Sequence, residues 1–334
     1  MSALSFRLCT RADKAAVVAF MDAHWGAKHP LVHCADYFSY YYENGETLQF
    51  AFAEEDGAPV ALAGYIRANA DAAPDIWVSI WCAAKGHNGA GLELMNALPG
   101  LTGARVMACN NIRPKTMAFY RFLGYTAARV PHYYRLADRE TYAVARVANK
   151  VLLPVTPCGA PGADALVRIG SAAQLARDWV PDASLRPCKD AWYLQRRYFA
   201  FPRQQYDVYG VYENGKAVRL AVTRTVPVNG TAVLRVVDYV GAPAAFARLG
   251  GALDALMRAA GAEYTDCYCW GIAPEVFRAA GFAERAPDDA NTIPNYLTPP
   301  LCENTEYYFF TSDPAHFTLF KADGDQDRPN IVLA

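Results

Sequence analysis

Two short patterns occur twice in this chain of 334 residues, at almost the same separation. The hairpin signal Asp56-Gly57 is matched by Asn214-Gly215, whose glycine lies 158 residues later. The run Tyr120–Tyr125, a helix end of the form aromatic-Arg-x-x-Gly-aromatic, is matched 157 residues later by Phe277–Phe282. Separations that agree within one residue indicate that one domain type has been duplicated. We therefore expect two similar units in tandem.

Strand and helix signals alternate along both copies. In the first copy, apolar or alternating runs predict strands at 6–10, 48–54, 59–67, 76–82 and 105–109, and helices at 13–23, 36–43, 92–98 and 114–123. The second copy repeats the later part, with a helix at 243–259 between strands at 232–239 and 264–270. Prolines and glycines cluster between the copies. We predict a mixed α/β fold with domains at 1–137 and 165–334 and a linker at 138–164.

The composition excludes several classes of function. Apolar residues make up 53% of the chain, and a net charge of -1 provides no basic field for nucleic acid. No run approaches the roughly 18 apolar residues that a membrane span needs, and no secretory signal precedes the first strand. The nine cysteines show no C-x-x-C spacing, which favours reduced thiols. We expect a cytoplasmic protein with no nucleic-acid or membrane partner.

Three groupings suggest a metal site, and none has suitable spacing. Cys267 and Cys269 lie on one face of a predicted strand but lack a second ligand pair. The histidines at 24, 29 and 33 do not share one helical face. The D-x-D-x-D run at 323–327 lacks the glycine and the glutamate of a calcium loop. We predict no bound metal.

A glycine-rich loop separates the predicted strand 76–82 from the following helix. Its residues are Lys85, Gly86, His87, Asn88, Gly89, Ala90 and Gly91. Free backbone N–H groups and the positive end of the helix dipole attract an anion there, and glycines allow close approach. The alternative is a helix start in which glycine serves only close packing. A dinucleotide site is disfavoured, because the spacing is not G-x-G-x-x-G.

The order of strand, glycine-rich loop, helix, strand and the helix that ends at Tyr120–Tyr125 resembles the acetyl-CoA core of the GNAT superfamily of N-acyltransferases. The resemblance covers about residues 5–136 and, more weakly, 165–285. Gly89-Ala90-Gly91 fits the family's loop, whereas Gly86 stands where a basic residue or glutamine is usual, one position after Lys85. The second copy has Gly241-Ala242-Pro243 at its helix start, so it resembles a degenerate copy.

The resemblance implies that acyl-CoA binds only the first copy. The residues that it assigns to the cofactor are Ile80, Trp81 and Cys82 of the strand, Lys85 to Gly91 of the loop, and Asn111. Tyr120 is the residue implied to protonate the leaving thiolate; packing in the core is the alternative, since Phe277 occupies the matching position. His24 and His29, beside Trp25, border the implied acceptor pocket as candidate bases. Capping or exposure is their alternative role.

The acceptor is implied by a narrower resemblance. Two fused copies, the His-Trp segment and the acidic tail resemble N-acyltransferases that modify nucleotide-linked amino sugars for surface polysaccharide such as lipopolysaccharide O-antigen. That resemblance implies a dTDP-amino-6-deoxyhexose acceptor and acetyl-CoA or 3-hydroxybutanoyl-CoA as donor. Trp25, Tyr40 and Tyr296 are candidates for contacts with the base or sugar, and Asp325 and Arg328 for polar contacts. A tail that is merely solvated is the alternative for the last two.

Other functions stay open at this point. A tRNA-dependent aminoacyl transferase also pairs two GNAT-like domains, but it would need a basic groove. A non-catalytic sensor of acyl-CoA or nucleotide sugar would use the same loop without chemistry. An O-acyltransferase would need a stronger base than the sequence indicates. The acyl chain, the sugar and the oligomeric state are not determined by the sequence.

Overall fold

A computed structural model describes residues 4–331. Its strands are β1 (Leu4–Thr10), β2 (Glu43–Asn44), β3 (Thr47–Glu55), β4 (Ala58–Arg67), β5 (Asp75–Ala83), β6 (Val106–Asn110), β7 (Thr126–Val130), β8 (His132–Leu136), β9 (Val167–Ile169), β10 (Asp207–Glu213), β11 (Lys216–Val228), β12 (Thr231–Val240), β13 (Ala262–Trp270), β14 (Ala283–Arg285), β15 (Tyr307–Thr311) and β16 (Leu319–Phe320). Its α-helices are α1 (Lys14–His24), α2 (Pro30–His33), α3 (Ala35–Tyr42), α4 (Asn88–Thr102), α5 (Met117–Phe122), α6 (Ala172–Asp178), α7 (Ala191–Phe199), α8 (Gly250–Ala259) and α9 (Pro274–Ala279).

The first sheet has the strand order β1-β3-β4-β5-β6-β15-β7, with β2 paired to β3. Among the strands of this sheet that the structure describes, only β5 and β6 form a parallel pair. Alternation along β3 sends Phe50 and Phe52 to one face, where they pack with α1 and α3, and sends Ala51 and Ala53 to the face covered by α4. The small alanines let α4 lie close to the sheet, and both faces are buried.

The second sheet repeats this plan. Its order is β14-β8-β13-β12-β11-β10-β9, with β16 paired to β13, and β12–β13 is its parallel pair. The helices α8 and α9 pack over one face around Phe246, Leu253 and Phe277. Two mixed sheets with helices on their faces confirm the predicted α/β class and the duplication.

The two halves exchange one strand each. In the first sheet, β15 lies between β6 and β7 and is antiparallel to both. In the second sheet, β8 lies between β13 and β14, again antiparallel to both. The predicted domains 1–137 and 165–334 do not anticipate this exchange, because each sheet is completed by a strand from the other half.

The paired glycine signals adopt the predicted turns. Asp56 and Gly57 have φ of 50° and 79°, and Asn214 and Gly215 have 50° and 76°, so both hairpins turn through left-handed residues. The helix bounds differ more. α4 begins at Asn88, four residues before the predicted start at 92, because the loop glycines belong to its first turn. The predicted helix 243–259 opens with a 3₁₀ segment at Pro243–Leu249.

The C-terminal segment is folded into the second half. Its β16 pairs with Cys269 and Trp270 of β13, and the N–H of Ala322 donates to the carbonyl of Val237 on β12 at 2.9 Å. The parallel pairing of β12 and β13 ends at Arg235 and Asp266, so this segment fills the gap that opens beyond them. The solvated-tail alternative is therefore wrong for Asp325, which is buried, while Arg328 is half-buried.

A buried ion cluster fixes the same segment. The ammonium of Lys189 lies 2.6 Å from Asp238 and 2.7 Å from Asp323, and all three side chains are inaccessible to solvent or nearly so. One cation between two carboxylates links the loop before α7, the strand β12 and the tail. The tail therefore has a fixed path into the first half.

Candidate functional site

A gap also opens in the first sheet, between β5 and β6. Their parallel pairing ends at Trp77 and Ala108, while β5 continues to Ala83. A bulge adds Ser79 to β5 opposite the Gly64/Tyr65 step of β4, and the Ser79 hydroxyl lies 3.0 Å from that of Tyr42. Backbone groups on this side of β5 are thus available to a ligand. The predicted cofactor residues Ile80, Trp81 and Cys82 lie here, Ile80 buried and the other two half-buried.

The glycine-rich loop and the start of α4 lie at the outer end of this gap. The first N–H groups of α4, a helix of 15 residues, have no acceptor within the helix. Gly86 has φ of 90°, and a Cβ on Gly89 would meet no atom within 4 Å. A Cβ on Gly91 would lie 3.2 Å from that of Ala83. The loop combines a positive helix end with open space beside the backbone, which is what a pyrophosphate needs.

Side chains fix the loop against β5 and the end of β3. The indole N–H of Trp81 donates to the carbonyl of Gly91 at 2.9 Å. The His87 ring lies 3.2 Å from the carboxylate of Glu55. The side chains of Lys85 and Asn88 are exposed, and Ala90, in the first turn of α4, is buried on the side that faces the sheet. The structure therefore brings together the predicted residues from Ile80 to Gly91.

Tyr120 of α5 lies beside the same gap. Its ring stacks on Phe310 of β15 at 4.0 Å between centroids and lies 5.6 Å from the ring of Trp81. Burial raises the pKa of the Tyr120 hydroxyl well above its usual range, so the group stays protonated and can donate a proton. The second half has the matching pair, Phe277 of α9 stacked on Tyr133 of β8 at 3.8 Å, without a hydroxyl on the helix residue.

The C-terminal tail crosses the open end of β6. The side-chain amide of Asn110 donates to the carbonyls of Phe320 and Asp323 at 3.0 and 3.2 Å. The amide of Asn111 donates to Gln326 at 3.2 Å, and Gln326 donates to Asp325 at 2.9 Å. Asn111, predicted to contact the cofactor, is thus placed against the tail.

Asp325 is a buried carboxylate whose negative charge acts on residues beside both diverging strands. Burial chiefly raises the pKa of Cys109 on β6 and of Tyr42, whose hydroxyl contacts β5, and the negative charge of Asp325 adds to both shifts. Burial also raises the pKa of Asp325 itself, which the positive charge of Arg328 opposes. The nearest nitrogen of Arg328 is 4.0 Å from the Asp325 carboxylate, a distance too long for a close ion pair.

The two predicted histidines differ in their surroundings. Burial, with a smaller contribution from the positive charge of Arg328, lowers the pKa of His29 to about 4. The ring of Trp25 packs on His29 at 4.2 Å. His24, in contrast, is exposed at the end of α1 with its ring 4.5 Å from Phe20. The Nδ1 of His29 also accepts the N–H of Leu31 at 3.3 Å and caps α2, the alternative role left open for it. Within the described residues, no hydrogen bond joins His24 or His29 to the tail.

A polar cavity of about 360 Å³ lies between the two halves, beside Asn111 and Arg328. Tyr296 lines it, as do Arg224, Arg235, Tyr307 and Lys321, which the sequence analysis did not single out. Tyr40 lies elsewhere: its hydroxyl donates to the carbonyl of Arg196 at 3.0 Å. The tail pattern was a visible signal for Lys321, but its proximity to Tyr307 depends on the strand exchange.

Two negative findings concern the part of the chain that the structure describes. Within residues 4–331, no group of three or more histidine, cysteine or acidic side chains is arranged to hold a metal ion. No helix in the same range has the length and apolar character needed to cross a membrane.

Comparison with known proteins supports the architecture. No protein-family model matches the sequence, and no curated protein matches it either. Among solved structures, a conserved Enterococcus faecalis V583 protein of unknown function, described as a probable N-acyltransferase, superposes with a TM-score of 0.51 at 11% identity. The match covers 93% of this chain and 72% of that one. A GCN5-related N-acetyltransferase from Anabaena variabilis ATCC 29413 matches at 11% identity with a TM-score of 0.49, over 92% and 72% of the two chains. At this level of identity the likeness concerns the fold alone, and the chain has the fold of two tandem GNAT-like units.

Proposed function

We propose that the protein is an N-acyltransferase that moves an acyl group from acyl-CoA to the amine of a nucleotide-linked amino sugar. One observation carries the proposal: the glycine-rich start of α4 and the open edge of β5 meet at a gap that Tyr120 also borders. This arrangement joins an anion site, unpaired strand backbone and a proton donor. Within residues 4–331 the first half alone has it, because the tail pairs with β13 in the matching gap of the second half.

Acyl-CoA fits the first gap by its chemistry. The pyrophosphate would accept hydrogen bonds from the N–H groups of residues 86–90, beside the positive end of α4. The pantetheine arm carries amides, which suit the free backbone of β5 beyond Trp77. Asn111 is engaged with Gln326, so we assign it to holding the tail. The proposed donor is acetyl-CoA or 3-hydroxybutanoyl-CoA.

The reaction needs two aids once the neutral amine faces the thioester. The amine nitrogen attacks the carbonyl carbon, and the oxygen that gains charge accepts a hydrogen bond from an N–H of β5 near Ile80 to Cys82. One such donor is typically worth about 3 kcal/mol. The C–S bond then breaks, and the Tyr120 hydroxyl gives its proton to the thiolate, an effect of roughly 10²-fold. The nitrogen of the new amide releases its surplus proton to solvent, and Tyr120 takes up one proton from solvent, so that the protons balance.

The attacking amine must first lose its ammonium proton. Two groups near Arg328 are able to take it, His29 and Asp325. A base works best when its pKa lies near the working pH. Burial moves the pKa of His29 away from neutrality and moves that of Asp325 towards it. We therefore favour Asp325 as the base, in place of His24 or His29.

The cavity beside Arg328 supports a polar acceptor. Tyr296 and Tyr307 present rings and hydroxyls to it, and arginines and a lysine line its walls. Rings suit a sugar or nucleobase, and cations suit phosphate. We propose a dTDP-linked amino-6-deoxyhexose destined for surface polysaccharide such as O-antigen, a reaction that would take place in the cytoplasm.

The decisive experiment is release of free thiol from acetyl-CoA and 3-hydroxybutanoyl-CoA across a panel of dTDP- and UDP-linked amino sugars. We expect turnover with one acceptor and a fall of about 10²-fold for Tyr120→Phe, which keeps the ring stack on Phe310. Turnover only with simple amines would overturn the acceptor. Binding of acyl-CoA without any turnover would overturn the enzyme proposal in favour of a sensor.

A further inference from the structure

The cavity between the two halves has an excess of positive charge. Among the described residues, four cationic side chains and one carboxylate line it: Arg224, Arg235, Lys321, Arg328 and Asp327. Placing cations together in a partly buried space costs free energy unless an anion joins them. The question is which of these charges the protein itself neutralises.

The two arginines of the second sheet are already paired. Arg224 donates to both oxygens of Asp327, at 2.7 and 3.2 Å. Arg235 donates to both oxygens of Asp266, at 2.9 and 2.6 Å, and also to Asn295. Each guanidinium thus has a bidentate carboxylate partner. Asp327, the one carboxylate among the described residues that line the cavity, is already paired with Arg224.

Lys321 and Arg328 are left without a close carboxylate. The Lys321 ammonium donates to the Tyr307 hydroxyl at 3.1 Å and lies 4.5 and 5.6 Å from the rings of Tyr307 and Tyr268. Among residues 4–331, no carboxylate comes within 4 Å of it. Arg328 is 4.0 Å from Asp325, and its buried Nε has no hydrogen-bond partner in the described chain.

The surroundings of Lys321 reinforce this imbalance. Burial and the positive charge of Arg235 lower the pKa of Lys321 to about 7, against weaker opposing effects from Asp327, Asp266 and the hydroxyl of Tyr296. A cation held at such cost is stabilised when an anion with two charges enters. Phosphate oxygens also accept hydrogen bonds from ammonium, guanidinium and tyrosine hydroxyl groups.

We propose that this cavity binds the phosphate groups of the acceptor, with Lys321 and Arg328 as the cations that those groups neutralise. The inference rests on the proposed nucleotide-linked acceptor and adds where its phosphates lie. Arg328 lines this cavity and lies 4.0 Å from Asp325, so a sugar attached to the phosphates would extend towards Asp325, the proposed base. The tail would thus bind the phosphate end of the acceptor and present its amine to the proposed base.

Calorimetry with the full-length chain tests the proposal. The probes are thymidine diphosphate, thymidine and inorganic phosphate, all titrated into the Gly89→Trp variant so that the CoA loop cannot bind them. We expect thymidine to bind at least 100-fold more weakly than thymidine diphosphate, and Lys321→Met to weaken the diphosphate at least tenfold. Lys216→Met, which changes an exposed hairpin lysine, is the matched control and should have no effect.

A second readout does not depend on any change at Lys321. At pH 7.5, binding of the diphosphate should take up a fraction of a proton, measured from the heat in buffers of different ionisation enthalpy, because the anion raises the Lys321 pKa. Equal affinity for thymidine and its diphosphate would overturn the proposal, as would unchanged binding by Lys321→Met. If inorganic phosphate binds tightly and thymidine diphosphate does not displace it, the cavity is a site for free phosphate, and the acceptor assignment is overturned. Acylation of a phosphate-free amino sugar at full rate would overturn it while leaving N-acyltransfer intact.

Discussion

The ring of Tyr120 lies face to face with that of Phe310, which reaches it on a strand from the other end of the chain. The second half contains the reciprocal pair, Phe277 on Tyr133. In each half, the helix residue next to the sheet gap packs on the exchanged strand. The proposed proton donor is therefore held in place by the half that has no cofactor loop.

Replacing Phe310 with alanine should affect stability and catalysis together. The side chain is completely buried, so Phe310→Ala is expected to cost about 3–5 kcal/mol of unfolding free energy. Loss of the ring stack should also lower kcat for thiol release while KM for acyl-CoA changes little. Urea unfolding and steady-state kinetics measure the two effects. Phe310→Leu, which keeps most of the volume, serves as control; an unchanged kcat in a folded alanine variant would contradict the positioning role.

A bulky residue at the start of α4 should block cofactor binding. Gly89→Trp projects into space that the protein leaves open, so the fold should survive while acyl-CoA affinity falls by at least 100-fold. Gly100→Trp places the same side chain near the other end of the same helix, also in open space, and should bind acyl-CoA normally. Calorimetric titration of both variants is the measurement. Equal acyl-CoA affinity in the two variants would show that the loop is not part of the cofactor site.

Asp325 and His29 are separated by their effects on the pH dependence of the rate. If Asp325 accepts the ammonium proton, Asp325→Asn should lower kcat by about 10²-fold and abolish the acidic limb of the kcat/KM profile. His29→Gln should keep that limb, since the pKa of His29 lies near 4. The profile is recorded from pH 5 to 9 by thiol release. Loss of the limb in His29→Gln instead would identify the histidine as the base.

His132 should make the fold less stable below neutral pH. Its ring is fully buried, stacks on Tyr268 at 4.0 Å and accepts a hydrogen bond from Arg285 at 3.2 Å. Burial lowers its pKa to about 4, so between about pH 6.5 and 4 the unfolded chain binds a proton that the folded chain does not. Stability should therefore fall as pH drops through this window, by about 3 kcal/mol in full.

The measurement for His132 is a difference between two proteins, because carboxylates titrate in the same range. Urea unfolding at pH 7 and pH 4.5 should show a smaller pH effect in His132→Gln than in the parent chain. His316→Gln provides a comparison at a histidine outside the buried core. A pH effect of equal size in His132→Gln and the parent would show that His132 does not carry the linkage.

The sequence predicts those features that depend on a few neighbouring residues, such as turns and the order of strands and helices. Asp56-Gly57 and Asn214-Gly215 form the expected turns because few residues tolerate left-handed backbone, and the order of strand, loop and helix around Gly89 follows from hydrophobic runs. The bounds of α4 were less accessible, since a glycine-rich first turn has little helical signal.

The strand exchange was not predictable in the same way. β8 and β15 are both short, aromatic and antiparallel to their neighbours, so either would fit either sheet by pattern alone. Their partners are set by packing over long separations in the chain. The same limit applies to the site, where the sequence could group His24 with His29 but could not show that His29 is half-buried while His24 is exposed.

The ion cluster of Lys189, Asp238 and Asp323 gives the second half a structural role in the proposed active site of the first half. It anchors the tail in the gap of the second sheet, two residues before Asp325 leaves towards the first. The second half, which has no cofactor loop, thus uses the gap in its own sheet to anchor the tail segment that carries Asp325. The gap that is proposed to bind acyl-CoA in the first half is occupied by the protein's own tail in the second half, which thereby supports the proposed active site.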